Sequence, residues 1–217
     1  MKKTTIYLIR HGQSIGNLKA MMLGHADLDL SPLGIMQADC TAKELSDVKF
    51  DAIYSSDLLR AYNTALPHAQ IRGLEVIKNH AFRETFLGDW ENTTVEDIRK
   101  DPEQARIYDV DWGQNFGTFT FPNGESTVAS GERFYDALLE IVKNEEGKTI
   151  LVTSHGAVIR AFWAKIANIA PEDIASKLDF MTNASYSILE FDGGNFVPVE
   201  YSHDAHLEKI GITRIKI

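Results

Sequence analysis

The chain has 217 residues, 44% hydrophobic and 24% charged, with a formal net charge of −9. That length and composition fit one folded unit with a substantial core and exclude intrinsic disorder. The acidic balance argues against a nucleic-acid binder, whose phosphate contacts need a basic surface; an anionic small substrate would need a local arginine cluster instead.

Thr4–Ile9 is a short apolar run rich in β-formers, which predicts a buried strand. Arg10–Leu30 follows as a polar, glycine-containing stretch. Ser31-Pro32 reads as an N-cap with proline at the first helical position, and the spacing of Leu33, Met36 and Cys40 carries that helix to about Leu45. Phe50–Tyr54 is a second expected strand, Asp57–Ala65 a helix interrupted near Pro67, and Leu74–Ile77 a third strand. Thr93–Lys100 is expected to be helical, with Pro102 closing it.

Ile107–Gly131 differs from its surroundings. It holds Trp112, Phe116, Phe119 and Phe121 among glycines, carries Asp109, Asp111 and Glu125, and contains no Lys, Arg or His. A long loop or lid is expected there, as an insertion over about residues 101–131 of a single domain spanning 1–217. A helix from about Thr127 to Lys143 follows, with Phe134, Leu138, Ile141 and Val142 on one face. Then come a buried strand at Thr149–Thr153, a helix at Ala157–Ala167, and strands at Ser185–Phe191 and Phe196–Tyr201 around the turn Asp192-Gly193-Gly194-Asn195. Strands alternating with helices imply an α/β fold with a largely parallel sheet.

Cys40 is the only cysteine, which leaves no intrachain disulfide and no thiolate metal site; its place in an apolar-periodic stretch makes it an expected core residue. His203 and His206 lie three apart without a further ligand motif and are expected at the surface. The apolar run before Arg10 is too short for a signal segment and no stretch is long enough to span a bilayer, so the cytoplasm is the expected location.

Two histidines sit just past two strands. Arg10-His11-Gly12 follows the first, and Ser154-His155-Gly156 follows the strand Thr149–Thr153. Ligands in open α/β sheets lie beyond the carboxyl ends of strands, so the two histidines are expected to face one another across a site. Arg10 adjoins one of them, and Arg60 opens a helix after the second strand; a guanidinium fork suits bidentate phosphate binding. Glu84, within Arg83-Glu84-Thr85-Phe86-Leu87-Gly88-Asp89-Trp90, is a carboxylate candidate that could equally pair with Arg83.

These residues, taken in order, resemble the histidine phosphatase superfamily, the phosphoglycerate mutase-like proteins. The resemblance runs through Leu8-Ile9-Arg10-His11-Gly12-Gln13-Ser14 with Asn17, Leu30-Ser31-Pro32-Leu33-Gly34 with Gln37 and Ala38, and Ser55-Ser56-Asp57-Leu58-Leu59-Arg60-Ala61 with Thr64 and Ala65. It continues through Glu84 with Leu87-Gly88-Asp89-Trp90-Glu91, then Pro122-Asn123-Gly124-Glu125-Ser126, then Val152-Thr153-Ser154-His155-Gly156 with Ile159 and Arg160. Asn92 departs from the pattern, which often has glycine there.

The resemblance implies a three-layer sandwich, a mostly parallel central sheet with helices on both faces. It implies His11 as the phosphate acceptor, Arg10, Arg60 and His155 as holders of the phosphoryl oxygens, and Glu84 as the proton donor, with Asn17, Ser14 and Gly156 in the phosphate site. The substrate would be a small phosphorylated molecule, with no cofactor or metal and no nucleic-acid or membrane partner. A protonated His155 would add its charge to that of the two arginines. The absence of bases in Ile107–Gly131 favours a phosphatase over the alternative, a phosphoglycerate mutase.

A third reading comes from Gly12-Gln13-Ser14-Ile15-Gly16, which satisfies the G-x-S-x-G elbow of serine hydrolases with Ser14 as nucleophile. Only one strand precedes Ser14, whereas an elbow draws its oxyanion donor from an earlier strand-loop unit.

Overall fold

The computed structural model describes residues 2–213; Met1 and residues 214–217 of the expected domain lie outside them. Six strands make the main sheet. They are β1 Thr4–Arg10, β2 Ala52–Ser55, β3 Val76–Lys78, β4 Thr149–Ser154, β5 Tyr186–Phe191 and β6 Phe196–His203. Their order across the sheet is β3-β2-β4-β1-β5-β6. The pairs β3/β2, β2/β4 and β4/β1 are parallel, while β5 and β6 add an antiparallel edge.

Four longer helices cover the sheet: α1 Pro32–Glu44, α2 Leu59–Arg72, α3 Thr127–Asn144 and α4 Gly156–Ile166. Strand residues alternate between faces, so each strand contributes to two cores. Ile6, Leu8, Ile150 and Val152 pack with Phe134, Leu138, Val158 and Phe162 of α3 and α4. Ile9, Ile53 and Leu151 pack instead with Ala65 and Ala69 of α2 and with Leu45, which caps α1. The result is the expected sandwich of three layers.

The Ser31 hydroxyl caps α1 by accepting from the Gly34 N–H, with Pro32 at the first helical position. Three local expectations need correcting. Pro67 does not interrupt α2, which runs on to Arg72. The buried face of that helix (Ala61, Thr64, Ala65, His68, Ala69) continues past the proline, and this packing outweighs one lost backbone hydrogen bond. Pro102 opens a short helix, Pro102–Arg106, rather than closing one, because the Asp101 carboxylate accepts from the Glu103 and Gln104 N–H groups as an N-cap. Only Val95–Ile98 of the preceding stretch is helical; Thr93–Thr94 pairs with Met21–Met22 as a small second sheet.

The expected loop is also more ordered than its composition suggests. Ile107–Trp112 forms a π-helical turn, and Tyr108, Trp112, Phe116 and Phe121 are buried. Trp90 joins them, its ring 5.8 Å from both Tyr108 and Phe119 and its indole N–H donating to Gln104. Asn92 adopts a left-handed φ of 60°. Asparagine is the residue best able to stand in for glycine there, which accounts for the departure noted above.

Cys40 is half-buried rather than a core residue, its Sγ 3.2 Å from the His206 carbonyl oxygen. His203 and His206 are likewise half-buried, stacked on each other and on Tyr186. Among the described residues, no group of three or more His, Cys, Asp or Glu is placed to hold a metal ion. No described helix is long and apolar enough to cross a membrane.

Candidate active site

Strand register builds the site. In the parallel pair β1/β4, Arg10 lies opposite Ser154, so His11 and His155 leave the sheet side by side. The His11 N–H donates to the Ser154 carbonyl at 2.9 Å, and the two imidazoles lie 5.2 Å apart edge to face. Ser55 of β2 lies opposite Thr153, which brings Ser56 to the same level. The strand ends thus deliver the catalytic candidates together.

His11 is 4% exposed, and its Nδ1 lies 2.7 Å from its neighbour's carbonyl, that of Gly12. A carbonyl can only accept, so Nδ1 carries the proton and Nε2 keeps its lone pair. Burial, then the charges of Arg60 and Arg10, hold this imidazole well below its ordinary pKa. It is neutral and nucleophilic at physiological pH.

Arg10 and Arg60 are each 1% exposed, and burial pushes both down to about 10, still cationic near neutrality. Backbone carbonyls fix them. Arg10 Nη1 donates to Met181, and Arg60 donates to Ala26 at 2.7 Å and Gly24 at 2.8 Å. The Nε–H of each has no protein partner among the described residues, which leaves donors available for an anion. Gly156 matters through what it lacks: a Cβ there would lie 3.1 Å from Arg10 Nε and crowd the guanidinium.

His155 caps α4, and its Nε2 lies 2.8 Å from the Ser56 hydroxyl. Ser56 Oγ also accepts from the Leu58 N–H, which ties the His155 ring to the start of α2. Nδ1 is buried without a partner. The expectation of a protonated His155 is corrected here. Burial, then Arg60 and His11, hold it well below its ordinary pKa, so in the ligand-free site it is neutral.

Glu84 sits at the N-terminus of α4. Its Oε1 accepts from Val158 and Thr85, both at 2.9 Å, and its Oε2 accepts from Ala157 at 3.0 Å. It does not pair with Arg83, which forms a bidentate pair with Asp57. The Glu84 carbonyl is held by Arg133 and His25.

Arg10, His11, Asn17, Arg60 and Glu84 line one cavity of about 290 Å³. Three expected members lie outside its lining: Ser14, Gly156 and His155, the last fully buried. Ser14 is fully buried and its hydroxyl accepts from the Asn17 N–H, capping the short helix Ile15–Leu18. No described histidine bonds it, so it lacks the base that the serine-hydrolase reading needs. Gly156 acts through Arg10, as above. Sequence reasoning missed Asn183, which donates to the His11 carbonyl and to Asn17 Oδ1. It also missed Ser56, whose hydroxyl lies against His155 Nε2. Neither carries a local signal; only the tertiary fold brings them in.

Residues 6–204 match the family model of the histidine phosphatase superfamily (branch 1). The chain is 33% identical to phosphoserine phosphatase 1 of Hydrogenobacter thermophilus, covering 93% of each chain. It is 34% identical to a 2,3-bisphosphoglycerate-dependent phosphoglycerate mutase of Bartonella tribocorum, covering 80% of this chain and 86% of that one. The solved structure of Bacillus stearothermophilus YhfR superposes with a TM-score of 0.87 at 30% identity, covering 94% of this chain and 100% of the other. The chain belongs to the histidine phosphatase superfamily and is an enzyme that hydrolyses phosphate esters.

Proposed function

We propose that the enzyme is a metal-independent phosphomonoester phosphatase whose covalent intermediate forms on His11 Nε2. The observation that carries this is the His11 imidazole itself, locked through Nδ1 to Gly12 and held neutral between two arginines. A phosphoryl group would be gripped by Arg10, Arg60, the His155 imidazole and Asn17. Charge in the loose transition state spreads over the equatorial oxygens, and fixed donors there need no reorganisation.

In the first half-reaction Nε2 attacks phosphorus, the N–P bond forms and the P–O bond to the alcohol breaks. Glu84 gives its proton to the departing oxygen. In the second, water attacks phosphorus, its proton goes to Glu84 and the N–P bond breaks. Free phosphate leaves, and neutral His11 and protonated Glu84 are restored. General acid-base help of this kind contributes roughly 10²–10⁴-fold.

Hydrolysis is favoured over isomerisation by the cavity lining. Among the described residues its Lys and Arg content is Arg10 and Arg60 alone, both placed for one phosphate. The reading treats the chain as a single catalytic domain in the cytoplasm, acting on small phosphorylated molecules, with residues 101–131 as its roof. The single cysteine, unpaired, agrees with a reducing compartment.

The test is rapid quench during turnover of a phosphomonoester. An acid-labile, base-stable phosphoenzyme mapping to His11 is expected, and His11→Ala should lose it together with about 10³–10⁶-fold in kcat. A phosphorylated residue other than His11, or full activity in His11→Ala, would refute the assignment.

A further inference from the structure

The phosphate-binding end of the cavity accounts for little of its wall. Beyond it the lining is Met22, Leu23, Leu87, Val95, Phe121 and Phe180, with Trp112. Both lining arginines are directed by backbone carbonyls to the phosphate end. The arginines of the surrounding segments are engaged elsewhere: Arg83 with Asp57, Arg99 with Asp109, Arg106 with Asp111 and Arg133 with Glu125. Asn183 is similarly committed, its amide N–H groups to the His11 carbonyl and Asn17 Oδ1 and its Oδ1 accepting from the Thr213 hydroxyl.

Among the described residues, a carboxylate on the substrate would therefore find no cation in this apolar chamber beyond the two that hold the phosphate. Burying an unpaired charge in such surroundings is strongly unfavourable. An apolar group entering the same chamber gains by leaving water. Trp112 adds one neutral donor, since its indole N–H is buried without a partner among the described residues.

From this lining we infer that the alcohol this enzyme releases is uncharged and largely apolar, an alkyl or aryl alcohol with at most an acceptor oxygen for Trp112. Carboxylate-bearing esters such as phosphoserine and the phosphoglycerates are then poor substrates, although relatives are named for acting on them. The inference rests on the phosphatase reading and narrows it to a substrate class.

The experiment compares kcat/KM of the purified enzyme for ethyl, n-butyl and n-hexyl phosphate with that for phosphoserine and 3-phosphoglycerate. All are esters of unactivated aliphatic alcohols, so the alkyl series reads the chamber more than the leaving group. Specificity should climb by about threefold for each added methylene, and hexyl phosphate should exceed phosphoserine by at least about a hundredfold. Met22→Lys should shrink that ratio by about tenfold or more, by giving a carboxylate its missing partner. Equal or faster hydrolysis of phosphoserine or 3-phosphoglycerate, or a flat alkyl series, would overturn the substrate class and leave the phosphatase intact. Release of phosphate from none of the esters by a folded enzyme would instead remove the phosphatase reading and the class with it.

Discussion

The two ends of the cavity are built by opposite means. At the phosphate end, four buried polar side chains stand on strand ends or the first turn of a helix, each fixed by the backbone or a neighbouring hydroxyl. At the other end, rings and methyl groups from Trp90 through Phe121 hold one another, mainly by shape. The first arrangement fixes atoms to within a fraction of an ångström and tolerates almost no substitution. The second fixes a volume and tolerates exchange of one apolar group for another. Chemistry is thereby separated from selection within one pocket, so the alcohol can change without disturbing the nucleophile.

Substitutions should separate the two ends. The largest effect is expected from Arg60→Ala, which removes a fixed cation and frees the Gly24 and Ala26 carbonyls. The kcat/KM for a simple alkyl phosphate should fall by about 10³-fold or more, and Arg60→Lys should recover only part of that because an ammonium lacks the planar fork. Recovery to wild-type rates with lysine would mean that charge alone suffices.

Next comes Trp90→Ala at the other end. Trp90 is 3% exposed and meets Phe119, Phe121 and Tyr108. Its loss should cost about 3–5 kcal/mol of stability in urea unfolding. The rate on ethyl phosphate, measured below the unfolding transition, should stay within about tenfold. A collapse of that rate would show that the apolar end positions the nucleophile after all.

The smallest effect is a dependence on pH. The unfolded imidazole of His11 takes a proton near its ordinary pKa of 6.5, whereas the folded one is held well below that. Above that pH neither state binds the proton and the contribution to stability is intact. As pH falls, the unfolded state binds it first and stability drops. One such histidine contributes a slope of at most about 1.4 kcal/mol per pH unit. Denaturation between about pH 7 and about pH 5 should therefore show a shallower slope for His11→Gln than for the wild type. Identical slopes would mean that the folded imidazole titrates normally.

Legibility in the sequence divides along the same line. Arg10, His11, Arg60 and His155 could be read because each adjoins a strand whose apolar run is short and sharply bounded, and strand ends are where α/β sheets bind ligands. Ser14 kept a second reading open because a capping serine and a nucleophilic serine can occupy the same five-residue pattern; which it is depends on what bonds its hydroxyl. The 101–131 stretch hid its order for a different reason. Its helices are only a turn or two long, below the length at which periodicity shows. Its burial comes from rings meeting across Trp90, Tyr108 and Phe121, residues too far apart for any local window. Asp101-Pro102 could have been read correctly, as a cap and a first helical residue, in place of a stop.

One feature of the sheet bears on how the enzyme comes into being on the ribosome. β1 leads into His11, the proposed nucleophile, yet its parallel partner is residues 149–154 and its antiparallel partner 186–191. β1 is thus central in the sheet and has neither neighbour until at least 139 further residues have been synthesised. Contacts this distant in sequence close late, because the loop entropy is lost before the pairing returns anything. The nascent chain consequently holds an apolar strand exposed through most of its translation, a period in which chaperone protection matters most. His11 reaches its place beside His155 only once β4 has joined β1, so the proposed nucleophile is assembled late.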